Sequence, residues 1–403
     1  MNACTLGDST TRILSGLIAA GTLAQMSDFF EKSDICAGAW PALLDAARLH
    51  GVEGLLYHAA RVHGALPALP APVRERLHAA YRRNAVAGSH AWHEIVELLQ
   101  AFASASVEVL LMKGAALALD LYGDAGLRPF GDADLLIRPD QLEPACRVLQ
   151  ACGYAVDPHY TLMGDPDDLR RSSLWQRLMP ELMFVRRAGA HFDVDLHWSL
   201  LRPSYLRRRL PDEWFCQHRC ELRVGAQPVW TLAPEANLIF LCAHYAKHAS
   251  PRLIWSYDLA LLLARHGQTL DWSSVVEAAR GGFDLPLRAA LRDVQRTWSV
   301  ALPPETVAKL SRVSPSPAER LHYRLGTSRS PLLSALWGVA SLPGLSTRAR
   351  ALGLYLFPSA TYMRARYSLA PDQPLSFHYV RRLLRWLGRA AGFVAPENHA
   401  HVL

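Results

Sequence analysis

No two cysteines in the 403 residues stand in C-x-x-C spacing, which removes zinc ribbons and thioredoxin-type redox centres. The seven cysteines (4, 36, 146, 152, 216, 220 and 242) read as small buried thiols in a reducing compartment. Cys216 and Cys220 have helical spacing, but no second pair completes a zinc site. No apolar run reaches the ~18 residues of a membrane span. Residues 13–24 are apolar, yet Asp8 occupies the would-be basic region and no cleavage motif follows, so an amphipathic first helix is expected there rather than a signal peptide. The chain lacks internal repeats, low-complexity tracts and any basic block interleaved with aromatics, so no stable nucleic-acid partner is expected. These absences leave a globular protein, expected in the cytoplasm.

What is present supports that class. Half of the residues are hydrophobic and 20% are charged. The net charge is +7, with arginine far outnumbering lysine, a weak bias toward acidic partners at this length. The densest pattern lies in residues 107–156. An apolar run, VEVLLM, predicts a strand and ends on Lys113 and Gly114. Strong helix formers follow from Ala115 to Tyr122. Gly123, Gly126, Pro129 and Gly131 predict a tight loop carrying Arg128. A strand DADLLI opens on Asp132 and Asp134, and a helix with Leu142, Ala145, Val148 and Leu149 inward ends at Gly153 before a short strand.

Side chains alternate along a strand, so Asp132 and Asp134 share a face. Two carboxylates so close repel unless a cation lies between them. Mg²⁺ is the economical choice, because it takes hard oxygen ligands and bridges to phosphates. On this reading, replacing either by asparagine leaves stability unchanged or raised. Gly114 at a strand-to-helix junction admits a phosphate to the backbone, and Lys113 adds a cation. Arg128 either pairs with the carboxylates or clamps a phosphate.

ELMFVRR and HFDVDLHW around Ala188-Gly189-Ala190 predict a β-hairpin. Its second strand puts Asp193, Asp195 and His197 on one face, and Phe192, Val194, Leu196 and Trp198 on the other. That polar face is either an exposed edge or the source of a third acidic ligand. Asp165, Asp167 and Asp168 lack the glycine and glutamate of a calcium loop and read as solvated. Before residue 107 the pattern is helical and carries no chemistry of its own, with breaks at Gly51 and Gly54 and a long helix in one or two pieces about Gly88. Beyond Leu200 the chain is expected to be mainly helical. His244 and His248 share a helix face without the glutamate of a zinc motif. Asp258, inside the apolar helix WSYDLALLLA, requires a partner. The last stretch is basic and aromatic, with Arg348, Arg350, Arg364, Arg366, Arg381, Arg382 and Arg385. A solvated helix face is the plain reading of it, and contact with a membrane surface or polyanion the other.

The acidic pair, the upstream glycine turn and the later acidic strand together resemble the nucleotidyltransferase superfamily of the DNA polymerase β type. More closely, LLMKGAALALDLYG, RPFGDADLLI, the Gly153-Tyr154 pair, VDLHW, HYAKH and WSYDLALLL resemble, in this order, a family of uncharacterised bacterial nucleotidyltransferases. The resemblance implies an α+β fold: a small mixed sheet embedded between N-terminal and C-terminal helical regions. Its implied divisions are a helical arm (1–106), a nucleotidyltransferase core (107–200), a helical domain (201–312) and a basic helical end (313–403). It implies Asp132, Asp134 and Asp195 as catalytic and metal-binding, with Asp193 the rival for the third place. Lys113, Gly114 and Arg128 would face the triphosphate, and His197 would support the metal strand or the acceptor. Ala115 stands where the broader superfamily has a phosphate-touching serine. The implied cofactor is Mg²⁺ or Mn²⁺, the substrate a nucleoside triphosphate, and the acceptor an unidentified small molecule, sugar or peptide of a polysaccharide or natural-product pathway. The rival reading is a nucleotide-binding regulator or scaffold of the same fold without turnover.

Overall fold

The computed structural model describes residues 8–19, 37–160, 176, 179–186, 192–201, 210–224, 227–248, 251–280, 282–312, 314–328 and 330–390. Asp165, Asp167, Asp168 and the turn at 188–190 lie outside them. Seven strands form one mixed sheet in the order β3-β4-β5-β2-β1-β7-β6. They are β1 (Val109–Met112), β2 (Asp132–Ile137), β3 (Tyr154–Val156), β4 (Glu181–Arg186), β5 (Asp193–His197), β6 (Arg219–Val224) and β7 (Gln227–Leu232). The chain divides into two compact units, each made of three segments, and the division passes through β1 and β2.

The first unit comprises residues 1–97, 111–133 and 218–316. Its early helices are α1 (Asp8–Ala19), α2 (Trp40–His50), α3 (Glu53–Val62) and α4 (Ala71–Ser104). Gly51 ends α2 with a left-handed φ of 73°, whereas Gly54 lies inside α3 and breaks nothing. Helix α4 runs 34 residues without interruption at Gly88. The reason for glycine at both places is a neighbouring loop. A Cβ on Gly54 would collide with the carbonyl of Gly126, and one on Gly88 would stand 2.8 Å from the Cβ of Ala125. A Cβ on Gly126 would in turn enter the ring of Tyr81.

The 123–131 loop is thus pressed onto α3 and α4. Tyr81 Oη donates to Asp124 Oδ2 at 2.8 Å, and Asp124 Oδ1 accepts from the Gly126 amide at 2.8 Å. Asn84 Nδ2 donates to the Gly126 carbonyl at 3.3 Å, and Trp92 meets Phe130 edge to face. The helical arm therefore shapes a loop that carries candidate site residues.

The 218–316 segment opens on β6 and β7, an antiparallel hairpin that corrects the helical expectation for this region. Cys220 sits on β6 while Cys216 ends a helix, so the two share no helical face. The segment then runs through α8 (Pro234–Lys247), α9 (Leu253–His266), α10 (Trp272–Ala279), α11 (Asp284–Trp298) and α12 (Pro304–Arg312).

The second unit comprises residues 98–110, 134–217 and 317–403. Here α6 (Leu142–Ala151; α5 is Lys113–Leu117 of the first unit) buries Leu142, Ala145, Val148 and Leu149, and Gly153 follows with φ 85°. The predicted hairpin forms: β4 and β5 are antiparallel, with Glu181 opposite His197 and Met183 opposite Asp195. Phe192, Val194, Leu196 and Trp198 are all buried on the other face. Helix α7 (Asp212–Gln217) follows, its Asp212 accepting from Ser199 Oγ at 2.8 Å. The remaining helices are α13 (Pro317–Gly326), α14 (Pro331–Ala340), α15 (Leu345–Leu356), α16 (Ala360–Tyr367) and α17 (Ser376–Ala390). Among the described residues no helix is long and apolar enough to cross a membrane.

Candidate functional site

Strand β2 begins at Asp132, as its alternation predicts, and lies between β5 and β1. Its two aspartates differ in setting. Asp132 is exposed at the strand's start, while Asp134 is 2% exposed. Because β5 is the neighbour of β2, the polar face of β5 meets Asp134. One ligand atom each from Asp134, Asp195 and His197 lie within 4.8 Å of one another, the group among the described residues with metal-binding spacing. Asp132 and Asp193 stand outside that group, as do His244 and His248.

His197 is wedged between carboxylates. Its Nε2 lies 2.8 Å from Asp134 Oδ1 and its Nδ1 3.1 Å from Glu181 Oε2. The tautomer decides which ring nitrogen donates, and a carboxylate facing the ring N–H accepts from it. Held between the two carboxylates, the imidazole fixes the position of Asp134. The remaining oxygens of Asp134 and Asp195 are hard donors of the kind Mg²⁺ or Mn²⁺ prefers, and the pair fits such an ion. Sequence reasoning missed Glu181. Its signal was the register, since a hairpin that places Glu181 across from His197 puts both side chains on one face.

The residues expected at the triphosphate lie in the first unit. Lys113 starts α5 (Lys113–Leu117), which continues as a single π turn (Ala118–Tyr122) and ends at Gly123. Lys113 adopts φ 47°, a left-handed conformation that costs a non-glycine residue about 1–2 kcal/mol. Its Nζ stands 5.8 Å from the centre of the Phe240 ring. Nearby, His244, His248 and Trp255 form a ring cluster, with His248 4.6 Å from Trp255 and Arg252 5.8 Å above it. Burial, with Lys247, Lys113 and Arg252 adding to it, pushes the His248 pKa down to about 4.

Gly114 is buried, and its missing side chain makes room for protein: a Cβ there would stand 3.0 Å from the Cβ of Phe130 and 3.5 Å from Nη1 of Arg128. Arg128 itself is 7% exposed and forks onto Asp258, Nε to Oδ1 at 2.9 Å and Nη2 to Oδ2 at 2.9 Å. Its Nη1 donates to the Pro129 carbonyl at 2.7 Å. Tyr122, on the π turn, donates to Asp258 Oδ1 at 2.7 Å. Asp258 thereby has the partners its apolar helix demands. Burial opposes the Arg128 charge, but Asp258 outweighs it, with Tyr122 and Asp132 on the same side, so the guanidinium is held protonated. Burial, followed by the Asp258 charge, raises the Tyr122 pKa well above the phenol range. Of the two readings of Arg128, the observed pairing is with a carboxylate, and that carboxylate is Asp258.

Comparison with known proteins places this geometry in context. The chain matches the family of uncharacterised nucleotidyltransferases over residues 37–299 and belongs to it. The match takes in the helical arm from α2 onward, both aspartate strands and the Arg128–Asp258 pair. No curated protein matches the chain. A solved structure that resembles it is that of an antigenic nucleotidyltransferase-like protein from Paracoccidioides brasiliensis, at 16% identity over 57% of this chain and 96% of that one, with a TM-score of 0.32.

Proposed function

We propose that the protein transfers a nucleoside monophosphate from a nucleoside triphosphate to an acceptor hydroxyl or phosphate. The observation that carries this reading is the approach of Asp134 and Asp195, from neighbouring strands, to within 4.8 Å together with His197. Chemically, the acceptor oxygen bonds to the α-phosphorus as the bond to the bridging oxygen of the β-phosphate breaks, and pyrophosphate leaves. Asp195 takes the acceptor proton. Asp134 holds its position because His197, itself held by Glu181, holds it, and Asp132 is assigned to the metal on the resemblance of the motifs alone. A bound Mg²⁺ or Mn²⁺ supplies charge neutralisation at the phosphates and acidifies the acceptor. Lys113, on its strained turn, is assigned to the triphosphate. Gly114 and Arg128 act there through backbone position and loop shape, since the Arg128 fork is taken by Asp258. Superfamily kinship of the DNA polymerase β type, a bacterial cytoplasmic setting and an acceptor from polysaccharide or peptide natural-product assembly follow from the resemblance of the motifs.

Isothermal titration with Mg²⁺ and each nucleoside triphosphate, followed by pyrophosphate release over an acceptor panel, tests this. Binding that disappears in Asp134→Asn and turnover that disappears in Asp195→Asn are the expected results. Absence of binding at millimolar nucleotide overturns the proposal. Binding without release for any acceptor replaces it with the regulator reading.

A further inference from the structure

Helix α17 presents an amphipathic surface that the transfer chemistry does not use. One side is anchored within its own unit: Tyr379 Oη donates to the Pro358 carbonyl at 2.7 Å and Arg382 Nη1 to the Tyr355 carbonyl at 2.7 Å. At 3.6 residues per turn, Phe377, Val380 and Leu384 fall on the side away from those anchors. On the anchored side Phe357 lies 6.2 Å from the Tyr379 ring. Phe377, Val380 and Leu384 are 67%, 55% and 64% exposed. A plain solvated face would carry polar residues at these places.

The flank of the apolar stripe is cationic. Arg381 is exposed and reaches to 5.8 Å above the Tyr367 ring, and Arg385 follows one turn along the helix. From residue 373 to residue 396 the sequence has no acidic side chain. This charge pattern selects among occupants. A second copy meeting about a two-fold axis would set the same arginines against each other. A stable protein interface needs about 800 Å² from each partner, more than three side chains supply. A surface both apolar and anionic satisfies the stripe and its flank together.

We propose that α17 docks the protein on an anionic lipid bilayer, with Phe377, Val380 and Leu384 inserted at the headgroup level and Arg381 and Arg385 against the lipid phosphates. The test is flotation of the full chain with vesicles of phosphatidylcholine alone or with about one-third phosphatidylglycerol. The expected result is binding to the anionic vesicles only, reduced about tenfold or more by the double variant Phe377→Ser/Leu384→Ser and separately by Arg381→Gln. All these side chains are exposed or flanking, so an unchanged melting temperature confirms that the variants fold. No binding to either vesicle, or binding indifferent to the variants, overturns the proposal. So does self-association in gel filtration that the double variant abolishes while vesicles stay bare. Release from the vesicles by soluble lipid phosphate headgroup, but not by added salt, also overturns it, because it makes the site a headgroup pocket.

Discussion

Arg128→Ala removes the guanidinium fork that engages both oxygens of Asp258 and leaves a carboxylate buried at 1% exposure beside Tyr122. We expect a loss of about 3–5 kcal/mol in urea unfolding, with Arg128→Ala/Asp258→Leu recovering part of it. The aspartate spacing by itself predicts no cost for Asp134→Asn, because it counts only repulsion. His197 reverses that sign: the variant gives up a charge-assisted bond at 2.8 Å and should lose about 1–2 kcal/mol as well as turnover. His197→Ala should reduce activity about 10–100-fold with a matching rise in the Mg²⁺ concentration needed, since it acts through Asp134. His248 gives a pH signature. Its folded pKa of about 4 lies below the ordinary 6.5, so between those values the unfolded chain binds the extra proton. Stability should therefore fall as pH drops from about 6.5 to 4, by on the order of 1–2 kcal/mol after allowing for partial exposure, and His248→Phe should flatten that slope.

At the level of elements, residues 123–131 depend on helices that carry no chemistry. Gly54→Ala should cost about 2–4 kcal/mol and impair activity, although it lies in α3, because its new methyl collides with the Gly126 carbonyl. Circular dichroism melting of that variant against Gly38→Ala, where nothing lies within 4 Å, is the check. Elements whose signal is local were legible beforehand. The alternation of DADLLI sets the start of β2, and that of HFDVDLHW sets which side of β5 is buried. The β6–β7 hairpin was not, because Pro228 interrupts its second strand and a run of helices follows it. Nor was the pairing of Arg128 with Asp258, since nothing in either neighbourhood names a partner 130 residues away; the pairing of His197 with Glu181 was readable only through the register of the hairpin. Lys113 read as a cation at a turn, but its left-handed backbone was invisible, as such turns usually fall to glycine or asparagine.

For the molecule as a whole, the sheet order places β2 between one strand that precedes it and one that arrives much later. The contact of Asp134 with His197 closes a span of 63 residues, and Thr231 Oγ1 reaches the Leu111 carbonyl across 120. Both are non-local, and non-local pairing slows folding because chain entropy is lost before contacts reward it. The acidic strand is therefore made early during synthesis, beside β1, and waits with its other edge bare for β5 to reach it, while β1 waits for β7. Refolding from urea should be slow, with His197 fluorescence-silent but Trp198 burial reporting the moment β5 docks. A chain stopped before residue 192 should collect in aggregates, because its central strand would have no neighbour on the β5 side to close it.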